Sequence, residues 1–268
     1  MPHKFSFIGT GSMGSALARA VVRTVPPEEV LLSNRTPAKA ETLAEELNCT
    51  AVSVREAARD GQYIVLGVKP QMMPGLLSEI APVLASREDR FILVTMAAGL
   101  TMVRITEMAG GAYPVIRIMP NTPCAVGEGM VPCCANPFVN EPELAEFIKS
   151  MSKAGTIDRL EERLIDAGCA VSGCGPAYVS LMIEALADGG TACGLTRQKA
   201  LLYAAQAVKG AAALQLASGM HPGAMKDAVC SPGGAAIAGV RVLEEHGFRG
   251  AAMGAVIAAI EKTKELGK

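Results

Sequence analysis

The residues best placed to do chemistry are glycines rather than acids or bases. Gly9-Thr10-Gly11-Ser12-Met13-Gly14 follows a short apolar run, Phe5 to Ile8, and opens a segment of helical period. In that setting Gly9 permits a tight turn, Gly11 lets a pyrophosphate approach the backbone, and Gly14 lets a helix pack on a strand. The helix N-terminus then offers N–H groups to phosphate. About 20 residues past such a turn an NAD enzyme carries Asp or Glu for the ribose hydroxyl. Here the stretch reads Ser33-Asn34-Arg35-Thr36, without an acid. Arg35 supplies a charged fork, with Ser33 and Thr36 as hydroxyl donors, which suits the 2′-phosphate of NADP. The alternative is a solvated Arg35 beside a Thr36 N-cap for a helix starting at Pro37, and both roles can coexist.

Three further turns lie at the ends of apolar runs, where ligands of open α/β sheets bind. Val68-Lys69-Pro70 and Thr95-Met96-Ala97-Ala98-Gly99 combine small residues with one cation. Ala97, Ala98 and Gly99 leave room for a nicotinamide near the backbone, and Lys69 can face a phosphate or the ring edge; an ordinary Pro-punctuated strand exit is the alternative. In Met119-Pro120-Asn121-Thr122-Pro123 two prolines fix a turn that presents Asn121 either to the cleft or to its own backbone. Later come Ser172-Gly173-Cys174-Gly175-Pro176-Ala177-Tyr178 and Cys230-Ser231-Pro232-Gly233-Gly234-Ala235-Ala236, each a glycine-rich loop opening a helix. In the second, Ser231 is a good N-cap residue, and Gly233 and Gly234 expose amides able to hold a carboxylate without an arginine. A helix–helix turn with close packing is the competing reading.

These turns need a scaffold, and the apolar pattern supplies one. Runs at Phe5 to Ile8, Val30 to Ser33, Tyr63 to Val68, Phe91 to Thr95 and Pro114 to Ile118 alternate with helical segments from Ser12, Pro37, after Pro74 and from Thr101. Strands apolar throughout suit a parallel sheet covered on both faces. Beyond Asp158 the chain is rich in Ala, Leu and Gly at 3.6 spacing, predicting helices over Glu161 to Val171, Pro176 to Cys193, Thr196 to Ala217, Ala235 to Glu245 and Gly250 to Leu266. The expected organisation is an α/β, Rossmann-like dinucleotide-binding domain over residues 1–160 and an all-α domain over 161–268 for substrate binding and dimerisation. Alanine-rich helices such as Ala204 to Ala213 bury little area each, so a homodimer is expected over a compact monomeric bundle.

Composition narrows the function classes. The 268 residues carry 25 basic and 26 acidic side chains, without a Lys/Arg-rich block, which argues against a nucleic-acid or anionic-membrane partner and for a small-molecule substrate. No uninterrupted apolar run approaches the ~20 residues needed to cross a bilayer. A strand pattern beginning at Lys4 leaves no room for a targeting peptide, so a cytoplasmic protein is expected. The eight cysteines form no CxxC pair, and His3, His221 and His246 lie far apart, so no metal site is expected.

The segments GTGSMG, VKP, AAG, MPNTP, SGCGPAY and CSPGGAAIAG, in this order, resemble those of pyrroline-5-carboxylate reductases over nearly the whole chain, as does the stretch Leu243 to Arg249. The resemblance implies reduction of 1-pyrroline-5-carboxylate to L-proline, with NADPH preferred and NADH as the second donor. It implies helical domains of two subunits interlocked as a dimer able to assemble further, and an active site between domains. The loop Ser231 to Ala236 would hold the substrate carboxylate through backbone amides, and Glu162 matches an acidic position that touches ligand in some members. Two departures stand out. Ala236 replaces a Thr or Ser whose hydroxyl lies near the ring nitrogen of the substrate, and Val54 replaces an Asn that contacts the cofactor. No residue is nominated as a catalytic acid or base, because a protonated imine is already electrophilic and the protein contributes mostly positioning. A reductase of another cyclic imine or a 3-hydroxyacid, or a non-catalytic NADP-binding regulator, are the competing functions.

Overall fold

The computed structural model describes residues 3–266. Eight strands form one sheet in the order β3-β2-β1-β4-β5-β6-β7-β8. They are β1 (His3–Ile8), β2 (Val30–Ser33), β3 (Thr50–Ala51), β4 (Gly61–Leu66), β5 (Ile92–Thr95), β6 (Val115–Ile118), β7 (Gly129–Ala135) and β8 (Gly155–Arg159). All neighbouring pairs are parallel except β6 with β7. The connecting helices are α1 (Ser12–Val21), α2 (Pro37–Leu47), α3 (Val54–Asp60), α4 (Met73–Ala85), α5 (Met102–Ala109), α6 (Glu141–Ser150) and α7 (Glu162–Ser172).

Alternation along the buried strands sorts side chains onto two faces. Phe5, Phe7, Tyr63, Val65, Ile92 and Val94 join Leu17 and Val21 of α1, Leu43 of α2 and Phe147 of α6 in one core. Ile8, Ile64, Leu66 and Leu93 join Leu77 and Ile80 of α4, Ile105 of α5 and Ile165 of α7 in the other. Tyr63 packs its ring on Phe5 at 5.0 Å, and its hydroxyl donates to the Glu143 carbonyl at 2.8 Å. Burial pushes that phenol well above its ordinary pKa. The two faces of the sheet are thus mostly apolar, with Ser6 and Arg117 among the few buried polar side chains within strands.

The second compact unit, Gly175 to Ile257, is helical. It holds α8 (Gly175–Ala192), α9 (Arg197–Ser218), α10 (Pro222–Val229), α11 (Ala235–Glu245) and most of α12 (Phe248–Leu266). Its own buried apolar core is Ala187, Ala200 and Ala204 with Ile183 packed against them. Leu202, Tyr203, Leu216, Val229, Met253 and Ile257 are all more than half exposed.

Packing divides the chain somewhat later than the boundary expected near residue 160. The first unit extends to Cys174 and includes the segment from Ala258. Helix α7 belongs to the sheet because Ile165 is fully buried in its core, and because Gly168 lets α7 approach Pro132 of β7, where a Cβ would stand 3.3 Å from the Pro132 ring.

Candidate active site

The strand order reverses between β1 and β4, which makes the carboxyl ends of these two strands the crevice where a ligand of such a sheet binds. Three glycines let the loops there close on one another. A Cβ on Gly9 would lie 2.5 Å from the Gly67 carbonyl oxygen, one on Gly67 would lie 2.5 Å from the Gly9 oxygen, and one on Gly14 would lie 2.0 Å from that same oxygen. Gly9 also adopts φ +108°, a region that L side chains rarely enter. Gly11 differs. It has φ −71° and ψ −173°, and a Cβ on it would meet nothing within 4 Å. The scaffold does not need a glycine at 11, whereas a pyrophosphate lying against the backbone does. No side chain caps α1, so its first-turn amides at Ser12, Met13 and Gly14 are left for an anion. Thr10 is buried, and its hydroxyl accepts from the Asn34 amide at 2.8 Å, tying the glycine turn to the end of β2.

Asn34 is thus a brace as well as a cofactor candidate; its Oδ1 also accepts from the Thr36 backbone N–H. Thr36 is the N-cap of α2 by backbone geometry, yet its side chain makes no capping bond. Thr36 thus occupies the expected cap position without the side-chain bond. Arg35 is exposed and has no ion-pair partner among the described residues. Ser33 is 1% exposed, with a buried hydroxyl that has no partner among the described residues. Val54 opens α3 and packs partly buried against the second core, so this position contributes an apolar contact.

At the end of β4, Val68 and Pro70 are half-buried, and Lys69 is exposed without an ion-pair partner among the described residues. At the end of β5, the fully buried Thr95 accepts the Ala97 N–H at 3.3 Å, Ala97 is 1% exposed, and Gly99 takes φ +74° to lead into α5. Ala98 and Gly99 are half-buried.

Two nominated residues turn out to be committed to the scaffold. Glu162, expected to touch ligand, receives the Met102 N–H at 2.7 Å and lies 3.5 Å from Arg117. Thr101 caps α5, and Glu162 takes the amide of its first residue, tying the start of α7 to the segment that follows the Ala97 to Gly99 turn. Arg117 is 1% exposed, in the middle of β6, and bonds Asp166 of α7 at 2.5 Å. Sequence reasoning missed Arg117; a charge inside an otherwise apolar strand was the available signal. Asn121 is 6% exposed, and it donates to the Ser172 carbonyl at 2.9 Å and accepts the Met130 N–H at 3.0 Å. These bonds run to α7 and β7 rather than to its own turn, so the side chain braces that turn against both elements.

In the helical unit, the N-cap of α11 is Gly234, not Ser231, and no side chain caps this helix. Ser231 instead closes a turn, its carbonyl accepting the Gly234 N–H at 3.0 Å. The reason Gly234 carries no side chain is local: a Cβ would lie 2.3 Å from the Ser231 hydroxyl. Gly233 takes φ +68° in open space. The amides of Ala235 and Ala236 therefore begin a helix with no internal acceptor, an arrangement suited to a carboxylate.

All eight thiols are free. Burial raises Cys133 to about 11 and Cys134 to about 12, which makes them poor nucleophiles. Among the described residues no cluster of three or more His, Cys, Asp or Glu could hold a metal ion. Concavities of about 490 and 560 Å³ lie beside α6, away from the glycine turn, the first reaching Met102 and Glu162. Size alone would misplace the site, and the open amides and glycine clearances locate it better.

Among the described residues one helical stretch, Glu162 to Ala192, is long and apolar enough by length and composition to cross a membrane. It is weak evidence, since Gly173 and Cys174 interrupt the helix and its first half packs on the sheet. A family described as pyrroline-5-carboxylate reductase dimerisation matches residues 162–266, which contains that stretch. A second, NADP oxidoreductase coenzyme F420-dependent, matches residues 4–99. The pyrroline-5-carboxylate reductases of Escherichia coli and Synechocystis are 38% and 40% identical to this chain, each alignment covering 100% of both proteins. The crystal structure of Plasmodium falciparum pyrroline carboxylate reductase with NADP bound superposes with a TM-score of 0.88 at 35% identity, over 99% of this chain and 98% of that one. With its turns in the family's order and its helical half matched by the dimerisation model, the chain belongs to the pyrroline-5-carboxylate reductase family.

Proposed function

We propose that this protein reduces 1-pyrroline-5-carboxylate to L-proline with NADPH as the preferred donor and NADH as the second. The observation that carries the cofactor half is the open cradle at Gly11, beside a β2 end that bears Arg35 in place of an acid. When bound, the dinucleotide supplies a hydride to the imine carbon.

The chain's own residues bind and orient. First-turn amides at Ser12 to Gly14 take the pyrophosphate, and Arg35 takes the 2′-phosphate. Val68 to Pro70 and Ala97 to Gly99 flank the nicotinamide, with Glu162 holding the second loop in place through the Met102 amide. The loop Ser231 to Ala236 grips the substrate carboxylate through its uncapped amides. No acid–base pair is required, because the imine arrives protonated; the substrate's own proton or water serves where relatives carry a hydroxyl at position 236. The exposed apolar helices fit a second copy of the chain, giving a homodimer able to assemble further. The near-balanced charge fits a cytoplasmic enzyme without nucleic-acid or membrane partners.

Steady-state turnover with pyrroline-5-carboxylate tests this reading, with NADPH and NADH at equal concentrations. Appreciable kcat/KM with NADPH and production of proline is the expected result. Higher kcat/KM on a larger or smaller ring points to a reductase of another cyclic imine, a reading that Ala236 favours; absence of turnover on every imine leaves a dinucleotide-binding regulator. Ala236→Thr, at a half-buried helix position, should raise kcat/KM for the imine by roughly tenfold, the worth of one added hydrogen bond. An unchanged kcat/KM would remove any penalty for the missing hydroxyl.

A further inference from the structure

We infer that Arg117 is a positioning residue for the cofactor: through Glu162 it fixes the segment that carries the Ala97 to Gly99 turn. The inference rests on the dinucleotide reading above and adds to it a side chain that is buried within the sheet. Stability alone does not account for an arginine here. The other residues of β6, Val115, Ile116 and Ile118, are apolar and fully buried, and the Arg117 Nε has no acceptor among the described residues. An apolar side chain at such a place is often as stable or more so, and an unpaired buried donor adds a cost. What the guanidinium supplies is a fork that reaches two acids of α7. Its Nη2 donates to Asp166 at 2.5 Å, and its Nη1 lies 3.5 Å from Glu162.

Glu162 and Asp166 are spaced i and i+4 on α7, where two carboxylates repel unless a cation lies between them. Arg117 is that cation, and it thereby holds Glu162 toward the sheet. From Glu162 the contact passes to the turn, because its carboxylate accepts the N–H of Met102, the first residue of α5, at 2.7 Å. On the upstream side Thr95 accepts the Ala97 N–H at 3.3 Å. These two bonds bracket the turn, and Gly99 between them takes φ +74°. The downstream bond depends on a carboxylate with 27% side-chain exposure, which water would otherwise claim. Asn121, four residues past Arg117, donates to the Ser172 carbonyl at the other end of α7. The β6 strand and its following turn therefore hold α7 at both ends, and only the Arg117 end continues to the nicotinamide turn.

Binding and turnover of the full-length protein test this together. In Arg117→Met the affinity for 2′,5′-ADP, which lacks the nicotinamide half, should change less than twofold. NADPH should bind about tenfold more weakly, as expected when one charge-assisted hydrogen bond is lost from the turn. The kcat for pyrroline-5-carboxylate should fall by a similar factor. Glu162→Ala should reproduce both losses, and combining it with Arg117→Met should add little, because both act through one contact. Glu162→Gln, which keeps an acceptor for Met102, should lose less than Glu162→Ala. Arg117→Lys keeps the charge but not the fork, and it carries the same cycle if the methionine variant fails to fold. Equal weakening of both ligands, additive losses in the double variant, or unchanged NADPH affinity in a folded Arg117→Met protein would overturn the assignment. If the wild-type protein binds NADPH but reduces no imine, the proposed substrate falls and the binding arms still decide Arg117. If it binds no NADPH, both fall.

Discussion

Gly11→Val is expected to give a folded protein that binds NADPH roughly 100-fold more weakly, because two charge-assisted hydrogen bonds of about 1.5 kcal/mol each are lost when a side chain stands between the turn and a pyrophosphate. The backbone at Gly11 lies in a region open to any residue, and a Cβ there meets no protein atom within 4 Å. The stability cost is limited to about 1 kcal/mol for a poorer N-cap. Gly14→Ala makes the informative contrast: its Cβ falls 2.0 Å from the Gly9 oxygen, so this change disturbs the turn itself. Fluorescence titration with NADPH and thermal melting separate the two cases. Unimpaired binding by Gly11→Val would show that no phosphate lies against that residue.

A second large effect is expected at the buried charge cluster. Asp166→Ala removes the 2.5 Å partner of Arg117, a guanidinium with 2% side-chain exposure whose buried Nε already lacks an acceptor among the described residues, and leaves it only Glu162 at 3.5 Å. Stranding a buried charge costs about 3 kcal/mol, at the low end of the usual range because Asp166 is itself partly solvated. Arg117→Met should cost much less: the methionine fills similar space, and the two carboxylates, at 27% and 31% side-chain exposure, can rehydrate. Urea midpoints at fixed protein concentration measure both. Equal losses from the two variants would mean that the cluster stabilises α7 by pairing rather than by avoiding a stranded charge.

The five strands read from apolar runs are present to within two residues at either end, because strands covered on both faces must be apolar throughout. The missed strands broke that rule for physical reasons. Pro132 interrupts β7, which pairs antiparallel with β6 after the parallel run has ended. Strand β8 reads Gly-Thr-Ile-Asp-Arg, and β3 has two residues. Helices α3 and α6 were within reach, since Ser53 with Glu56 and Asn140 with Glu143 form capping boxes whose spacing stands in the sequence. At the site, the glycine turn was legible because its demands are local. Glu162 and Asn121 were not, because what occupies them lies 60 residues away at Met102 and 51 residues away at Ser172.

Both margins of the sheet are blunted. On one side the outermost strand is too short to template another, and on the other Asp158 and Arg159 line the free backbone, with Arg159 pinned to Glu141 by two bonds. Strand addition from a foreign chain finds no flat, uncharged rim to extend. A partner docking on the exposed helical faces would be selected by side-chain shape rather than by main-chain hydrogen bonding.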